Sequence, residues 1–129
     1  YDLFFSDKTN CSSCHSGNLF TNYTYQNIGL YTTYSDSGRM RITLNEEDRG
    51  KFKVPSLRNV ALTYPYMHDG SKATLEEVVS FFDRGGKDHP NKSELIKPLH
   101  LTEQEQKDIV SFLHTLTDKK FIERHAVNY

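Results

Sequence analysis

Five consecutive residues constrain this chain more than any other stretch: Cys11-Ser12-Ser13-Cys14-His15. The spacing C-x-x-C-H is the attachment signal for a c-type haem. Two thiols on one helical turn can each add to a vinyl group of the same porphyrin, and the adjoining imidazole is then placed to bind the iron as its proximal ligand. The sequence therefore predicts one covalent haem c, held by Cys11, Cys14 and His15.

A disulfide or a redox-active C-x-x-C pair without haem is the alternative interpretation of the two thiols. A thioredoxin-like pair belongs to a βαβ unit and has no His directly after it. This sequence shows no βαβ pattern around the two cysteines, and His15 follows Cys14 directly. A zinc site needs two further ligands, and the chain has no second Cys pair because its two cysteines both belong to the motif.

Length and charge limit the class of protein further. A chain of 129 residues is expected to form one domain. The net charge of −1 gives no reason to expect nucleic acid or an anionic membrane surface as a partner. The chain has no run of 18 apolar residues and no signal peptide, so we expect a protein that does not span a membrane. Because haem of this type is attached outside the cytoplasm, the motif predicts the periplasm or an equivalent compartment, and we expect the chain to be processed or a fragment.

Two capping boxes predict the main helices. Thr74 begins the first and Thr102 the second, over about residues 103–117, each with a Glu three residues later. Apolar residues then recur at i, i+3, i+4 and i+7. These stripes are Leu75, Val78, Val79 and Phe82 in the first helix and Ile109, Phe112, Leu113 and Leu116 in the second.

The other segments carry weaker signals. Residues 1–10 are predicted to be a helix or helix end that buries Leu3 and Phe4 and packs against the last helix. Asn10 is predicted to cap the turn that carries the motif, and residues 18–50 to form an irregular loop, with at most a short hairpin, that wraps the haem. A short helix begun by Pro55 is predicted over 54–60. The last residues, 118–129, are predicted to form an extended arm.

Arg58 is a charged residue among Leu57, Val60 and Leu62, so it needs a partner. A haem propionate is one candidate, because guanidinium groups pair bidentately with carboxylates. The other interpretation is a surface Arg whose head reaches the solvent. The residues alone leave both open.

Several segments beyond the haem motif follow one another in an order typical of a known family. They are Leu3-Phe4-Phe5-Ser6, Val54-Pro55-Ser56-Leu57-Arg58-Asn59-Val60-Ala61-Leu62-Thr63, Pro65-Tyr66-Met67-His68-Asp69-Gly70, Thr74-Leu75-Glu76-Glu77-Val78-Val79, and the stretch from Leu101-Thr102 to Phe112-Leu113. Together with Cys11–Gly17 they resemble the C-terminal haem domain of bacterial dihaem cytochrome c peroxidases and MauG-like enzymes.

The resemblance implies an all-α, cytochrome c-like helical domain wrapped around one covalent haem, with long irregular loops, over residues 1–117, followed by a tail over 118–129. It implies an N-terminal haem domain of the same protein, outside this chain, where hydrogen peroxide reacts. The haem of this chain would receive or store electrons, with a small redox protein as donor. A stand-alone monohaem cytochrome c that only carries electrons is the second hypothesis, and a haem-based sensor is a third.

The resemblance also implies roles for single residues. The backbone carbonyls of Thr63 and Pro65 correspond to ligands of an interdomain calcium ion in the family, and oxygen ligands suit calcium. The family's distal iron ligand, a Met or a Tyr, corresponds to Phe82, which has no lone pair. We therefore expect an open sixth iron position, or a substitute such as Met67. His68 belongs to a loop near the family's domain interface, where a hydrogen-bonded loop His is expected rather than an iron ligand.

Overall fold

The computed structural model describes residues 1–125, in which short helices are joined by long loops. In chain order the elements are α1 (Cys11–Cys14), β1 (Tyr25–Gln26), α2 (Met40–Thr43), a 3₁₀ turn (Glu46–Asp48), β2 (Phe52–Lys53), a second 3₁₀ turn (Val60–Leu62), α3 (Leu75–Asp83), α4 (Glu103–Thr115) and α5 (Lys119–His125). The predicted helical class is confirmed, since each strand has two residues. Within residues 1–125, no helix combines the length and apolar character that a membrane crossing requires.

The two longest helices begin at the predicted caps. The Thr102 hydroxyl accepts a hydrogen bond from the Glu105 N–H, and the Glu105 carboxylate accepts one from the Thr102 N–H, which completes a capping box. At α3 the Thr74 hydroxyl accepts from the Glu77 N–H, but the Glu77 carboxylate accepts from Ala73, one residue before the cap. Both helices therefore start with satisfied N–H groups.

The main core lies where α3 and α4 pack together and the N-terminal segment covers them. Its buried members are Phe4, Leu75, Val79, Leu101, Ile109, Val110, Leu113 and Leu116. The Phe4 ring lies 4.9 Å from that of Phe112, between centroids, so the predicted contact of the N-terminal segment with the last helix is confirmed. Phe81, outside the predicted stripe, is buried in a second cluster with Leu30 and Tyr34.

Residues 1–10 form consecutive turns, so the predicted helix is wrong. The side-chain hydroxyls of Ser6 and Thr9 both donate to the Leu3 carbonyl, at 2.8 and 2.6 Å. Such side-chain bonds give the backbone an alternative to a helical ladder. Asn10 does precede α1, but it is left-handed (φ 53°) and its side chain makes no capping hydrogen bond.

The predicted helix over 54–60 is also wrong. Strands β1 and β2 pair antiparallel, and Val54 continues this pairing, with its N–H donating to the Thr24 carbonyl and its carbonyl accepting from the Thr21 hydroxyl. Residues 54–57 thus form no helix, and the chain turns at Arg58 and Asn59, the latter left-handed (φ 59°), before the 3₁₀ turn that begins at Val60.

Asn59 also holds the end of α4. Its N–H donates to the Leu116 carbonyl at 3.0 Å, and its side-chain oxygen accepts from the Asp118 N–H at 2.7 Å. The chain then forms α5, where an extended arm was predicted. Residues 126–129 of that prediction lie outside the described residues.

The polar segment 18–50 is ordered around one amide. Asn27 is fully buried, and its side-chain oxygen accepts from the Gly29 N–H and the Tyr34 hydroxyl. Its side-chain nitrogen donates to the Arg49 carbonyl. A fully hydrogen-bonded polar group thus lies inside this loop, beside the buried Tyr34.

Candidate haem-binding site

Cys11, Cys14 and His15 line one cavity of about 440 Å³. This volume is in the range of ligand and cofactor pockets, roughly 300–1,000 Å³. Apolar side chains of α3, α4 and the preceding loop form much of its wall, including Leu75, Val79, Phe82, Leu101, Ile109 and Leu113. An apolar wall of this kind suits the faces of a porphyrin, so the residues present fit a haem.

The imidazole of His15 is oriented by one backbone carbonyl. Its Nδ1 lies 2.9 Å from the carbonyl oxygen of Phe20, which only accepts hydrogen bonds. Nδ1 therefore carries the proton, and Nε2 keeps the free lone pair that an iron ion requires. Burial lowers the pKa of His15, and the neighbouring Phe20 and Pro55 carbonyls oppose this shift.

The two thiols lie on the single turn of α1. Burial raises the pKa of Cys11, and burial together with the neighbouring Cys11 raises the pKa of Cys14. Redox-active C-x-x-C pairs have the opposite property, a lowered pKa that exposes a reactive thiolate. The environment of Cys11 and Cys14 therefore does not give the lowered thiol pKa of a disulfide-exchange pair.

Arg58 lies on the surface beside the haem motif. It is exposed, its Nε donates to the Asn18 carbonyl at 2.8 Å, and its guanidinium carbon lies 5.2 Å from the centroid of the Phe20 ring. These contacts hold the guanidinium next to the segment that orients His15. Pairing of Arg58 with a haem propionate stays a prediction.

The other predicted site residues are brought to the same cavity. Met67, Phe82, Thr63 and Pro65 all line it together with His15. Met67 and Phe82 are half-buried, and Met67 is held in the left-handed region (φ 71°). Iron ligation by Met67, the absence of a ligand at position 82 and calcium binding by the Thr63 and Pro65 carbonyls stay predictions.

Sequence reasoning missed the aromatic side chains that the polar loop and β2 contribute to the cavity. Tyr34 and Phe52 line the cavity, and the His68 ring stacks on Phe52 with a centroid distance of 3.8 Å and an interplanar angle of 16°. The available signal was the presence of large aromatic residues in an otherwise polar segment. Tyr34 belongs to the loop that was expected to wrap the cofactor, and that expectation stays a prediction.

The family model for cytochrome c matches residues 3–117. The chain belongs to the cytochrome c family. Membership implies a covalent haem c, in agreement with the fit of the cavity and the C-x-x-C-H motif.

Relatives place the chain within a particular group of this family. It is 38% identical to the cytochrome-c peroxidase IdrP1 of Denitromonas iodatirespirans, over 88% of this chain and 38% of that protein. It is 39% identical to the methylamine utilization protein MauG of Methylorubrum extorquens, over 87% of this chain and 32% of that protein. The crystal structure of a MauG-like protein associated with microbial copper homeostasis superposes with a TM-score of 0.88 and 38% identity, covering 94% of this chain and 46% of that one.

The predicted resemblance is thus confirmed: the chain is homologous to a haem domain of cytochrome c peroxidases and MauG proteins. It spans about a third of the length of the curated relatives that it matches.

Proposed function

We propose that residues 1–117 form the C-terminal, electron-transfer haem domain of a dihaem cytochrome c peroxidase or MauG-like oxidoreductase. The domain receives or stores electrons for peroxide reduction at a second haem, in an N-terminal domain of the same protein. A small redox protein supplies the electrons, and the protein works in the periplasm or another extracytoplasmic compartment. The family match over residues 3–117 supports the boundary, and the greater length of the relatives supports the second domain.

The orientation of His15 carries this proposal. An imidazole whose Nδ1–H is held by the Phe20 carbonyl presents Nε2 to a metal, and it lines an apolar cavity beside two thiols on one turn. Cys11 and Cys14 would hold the haem, and His15 would bind its iron. The bound haem would supply one-electron chemistry, since its iron cycles between the ferrous and ferric states.

The lack of a carboxylate in the cavity wall, among the described residues, supports the electron-transfer role proposed for this site. General acid–base catalysis needs a positioned group that moves a proton. In the described part of the chain, no Asp or Glu side chain lines the cavity. His68 does line it, but its ring is stacked flat on Phe52.

A stand-alone monohaem cytochrome c is the second candidate. The match of a cytochrome c model to nearly the whole chain is the observation that favours it. This candidate needs neither a second haem nor the interdomain calcium ion, whose proposed ligands are the Thr63 and Pro65 carbonyls.

The intact mass of the full-length gene product separates the two candidates. Two covalent haems support the dihaem oxidoreductase, and one supports the carrier. Extraction with acidified acetone should leave the colour on the polypeptide, whereas haem in the supernatant would contradict attachment through Cys11 and Cys14. A matched pair of variants sharpens the test: Cys14→Ser should lose one thioether, and Ser13→Ala, on the same turn, should keep both.

Activity tests the assignment of roles. Residues 1–117 are proposed to lack the peroxide-reacting haem, so a full-length variant in which only this haem motif is intact should show little peroxidase turnover with a reduced cytochrome as donor. Turnover equal to that of the unmodified protein would show that peroxide reacts at this haem.

A further inference from the structure

A second cavity, of about 330 Å³, lies at the carboxyl end of α3. Three cationic side chains line it, those of Lys72, Arg84 and Lys87, together with the buried apolar side chains of Leu30 and Phe81. Within residues 1–125, no Asp or Glu side chain contributes to its wall. We call this surface the basic cavity.

The charges of the basic cavity are not neutralised within the described residues. None of the salt bridges found among residues 1–125 involves Lys72, Arg84 or Lys87. The contacts that two of them do make are to neutral groups. The Arg84 guanidinium donates to the Ser80 hydroxyl at 2.7 Å, and the Lys87 ammonium lies 5.4 Å from the centroid of the Tyr31 ring.

The carboxylates closest along the chain are Asp69, Asp83 and Asp88, and within residues 1–125 none of them forms a salt bridge with the three cations. Asp83 accepts hydrogen bonds from the Leu101 N–H and the Gln106 side chain. Asp69 accepts a hydrogen bond from the Tyr31 hydroxyl at 2.5 Å and another from the Ser71 N–H. Asp88 lies 3.6 Å from the Lys92 ammonium. Although Asp69 is bonded to the wall residues Tyr31 and Ser71, Lys72, Arg84 and Lys87 have no ion-pair partner within residues 1–125, so they can pair with carboxylates of an anionic surface.

The basic cavity shares a wall with the haem cavity. Leu30 lines both. Next to it, Tyr31 lines the basic cavity, and its ring lies 5.8 Å from that of Tyr34, which lines the haem cavity. A group bound among Lys72, Arg84 and Lys87 is thus separated from the haem cavity by single side chains.

We propose that the basic cavity is the docking site of a small redox protein with an acidic surface, and that carboxylates of this partner pair with Lys72, Arg84 and Lys87. This inference rests on the proposed electron-transfer function and adds the place and charge of the partner. The step moves one electron: the reduced cofactor of the partner is oxidised by one electron, the ferric haem of this domain is reduced by one, and no bond is made or broken. Leu30 and the Tyr31–Tyr34 contact form the intervening medium.

Stopped-flow reduction of the haem-loaded, full-length protein tests the proposal. The probe is flavodoxin hydroquinone, an acidic one-electron donor, and haem absorbance reports the second-order rate constant at several ionic strengths. For the unmodified protein this rate should fall as salt is added. The K72E/K87E variant should be about tenfold slower at low salt and lose that dependence, since electrostatic steering changes association rates by about 10–10³-fold.

The control variant K107E/K120E changes the net charge by the same amount at exposed lysines outside the basic cavity. It should stay within about twofold of the unmodified protein, since neither lysine lines the basic cavity and salt screens charges that are not in contact. The milder K72Q/K87Q variant removes the two charges without reversing them, so that a slow K72E/K87E variant is not explained by misfolding alone. Its second-order rate constant should also be lower than that of the unmodified protein. Equal rates in K72E/K87E, K72Q/K87Q and the control would overturn the docking site.

Reduction by dithionite separates this failure from a failure of the proposed function. A covalent haem that dithionite reduces equally in all variants leaves the proposed function intact, so that equal flavodoxin rates refute the docking site alone. A full-length protein without a dithionite-reducible haem refutes both.

Discussion

Phe4→Ala should be among the most damaging single substitutions in this chain. Phe4 is 2% exposed, lines the haem cavity and contacts the rings of Phe5, Phe20 and Phe112 at centroid distances of 5.2, 6.1 and 4.9 Å. Removing a buried Phe side chain costs about 3–5 kcal/mol of the free energy of unfolding, through lost transfer energy and the cavity that remains. Against a typical total of about 5–15 kcal/mol, this is a large share.

The neighbouring Phe5 provides the matched control. It carries the same side chain and also faces Phe112, with a centroid distance of 6.2 Å, but it is 41% exposed. Phe5→Ala should therefore cost only about 1–2 kcal/mol, the share of a Phe burial energy that its covered surface represents. Guanidinium chloride unfolding of the haem-loaded protein, followed by far-ultraviolet circular dichroism, measures both. A cost for Phe4→Ala no larger than that for Phe5→Ala would refute the assignment of Phe4 to the core.

Three further substitutions test the site and the electrostatics. Phe82→Met should add a Met-to-iron charge-transfer band to the ferric near-infrared spectrum and raise the reduction potential, since it places a sulfur ligand at the cavity wall. If the unmodified protein already shows this band and Met67→Ala removes it, the sixth position is not open. Arg58→Ala should lower the reduction potential, because a cation near the iron favours the ferrous state, and an unchanged potential would assign Arg58 to the surface alone. Glu105→Gln should reduce stability at neutral pH but not at low pH. The Lys8 ammonium and the Thr102 N–H lower the pKa of Glu105 in the folded protein. The carboxylate therefore contributes stability above its pKa in the unfolded chain, and this contribution disappears as the pH falls through the lower pKa of the folded protein. Thermal midpoints that differ equally at every pH would contradict this.

The parts of the fold that the sequence predicted correctly are those with local signals. Thr102 and Glu105 interact within one turn, so the start of α4 follows from residues three apart. The stripe of Ile109, Leu113 and Leu116 follows from helical geometry in the same way. The C-x-x-C-H motif is local as well, so the attachment site was predictable while most of its surroundings were not.

The error over residues 54–60 arose because a distant partner decides the backbone there. Val54 is extended because its N–H donates to the Thr24 carbonyl, about thirty residues away along the chain, and a Pro in the sequence cannot reveal that. The Phe20 carbonyl that orients His15 carries no side-chain signal at all. Asn27 appears in the sequence as one more polar loop residue, but the structure makes it the centre of the loop's hydrogen bonds.

The size of the haem cavity leads us to expect that haem attachment is part of folding. Costs of about 24 cal/mol per Å³ would give about 10 kcal/mol for an enclosed, dry cavity of 440 Å³, which is an upper bound because this cavity is open to solvent. This is comparable with the whole stability of a typical domain, about 5–15 kcal/mol. Phe4, Val79 and Leu113 belong both to the buried core and to the wall of this cavity, so without the cofactor they lose the contacts on one side.

We therefore expect the haem-free protein, made as a Cys11→Ala/Cys14→Ala variant, to bind the dye ANS, lose its near-ultraviolet circular dichroism in this domain and unfold without a cooperative transition. Ser12→Ala/Ser13→Ala, on the same turn of α1, should keep the haem and unfold cooperatively. A haem-free variant that unfolds as sharply, and at the same denaturant concentration, as this control would show that the polypeptide alone closes its core.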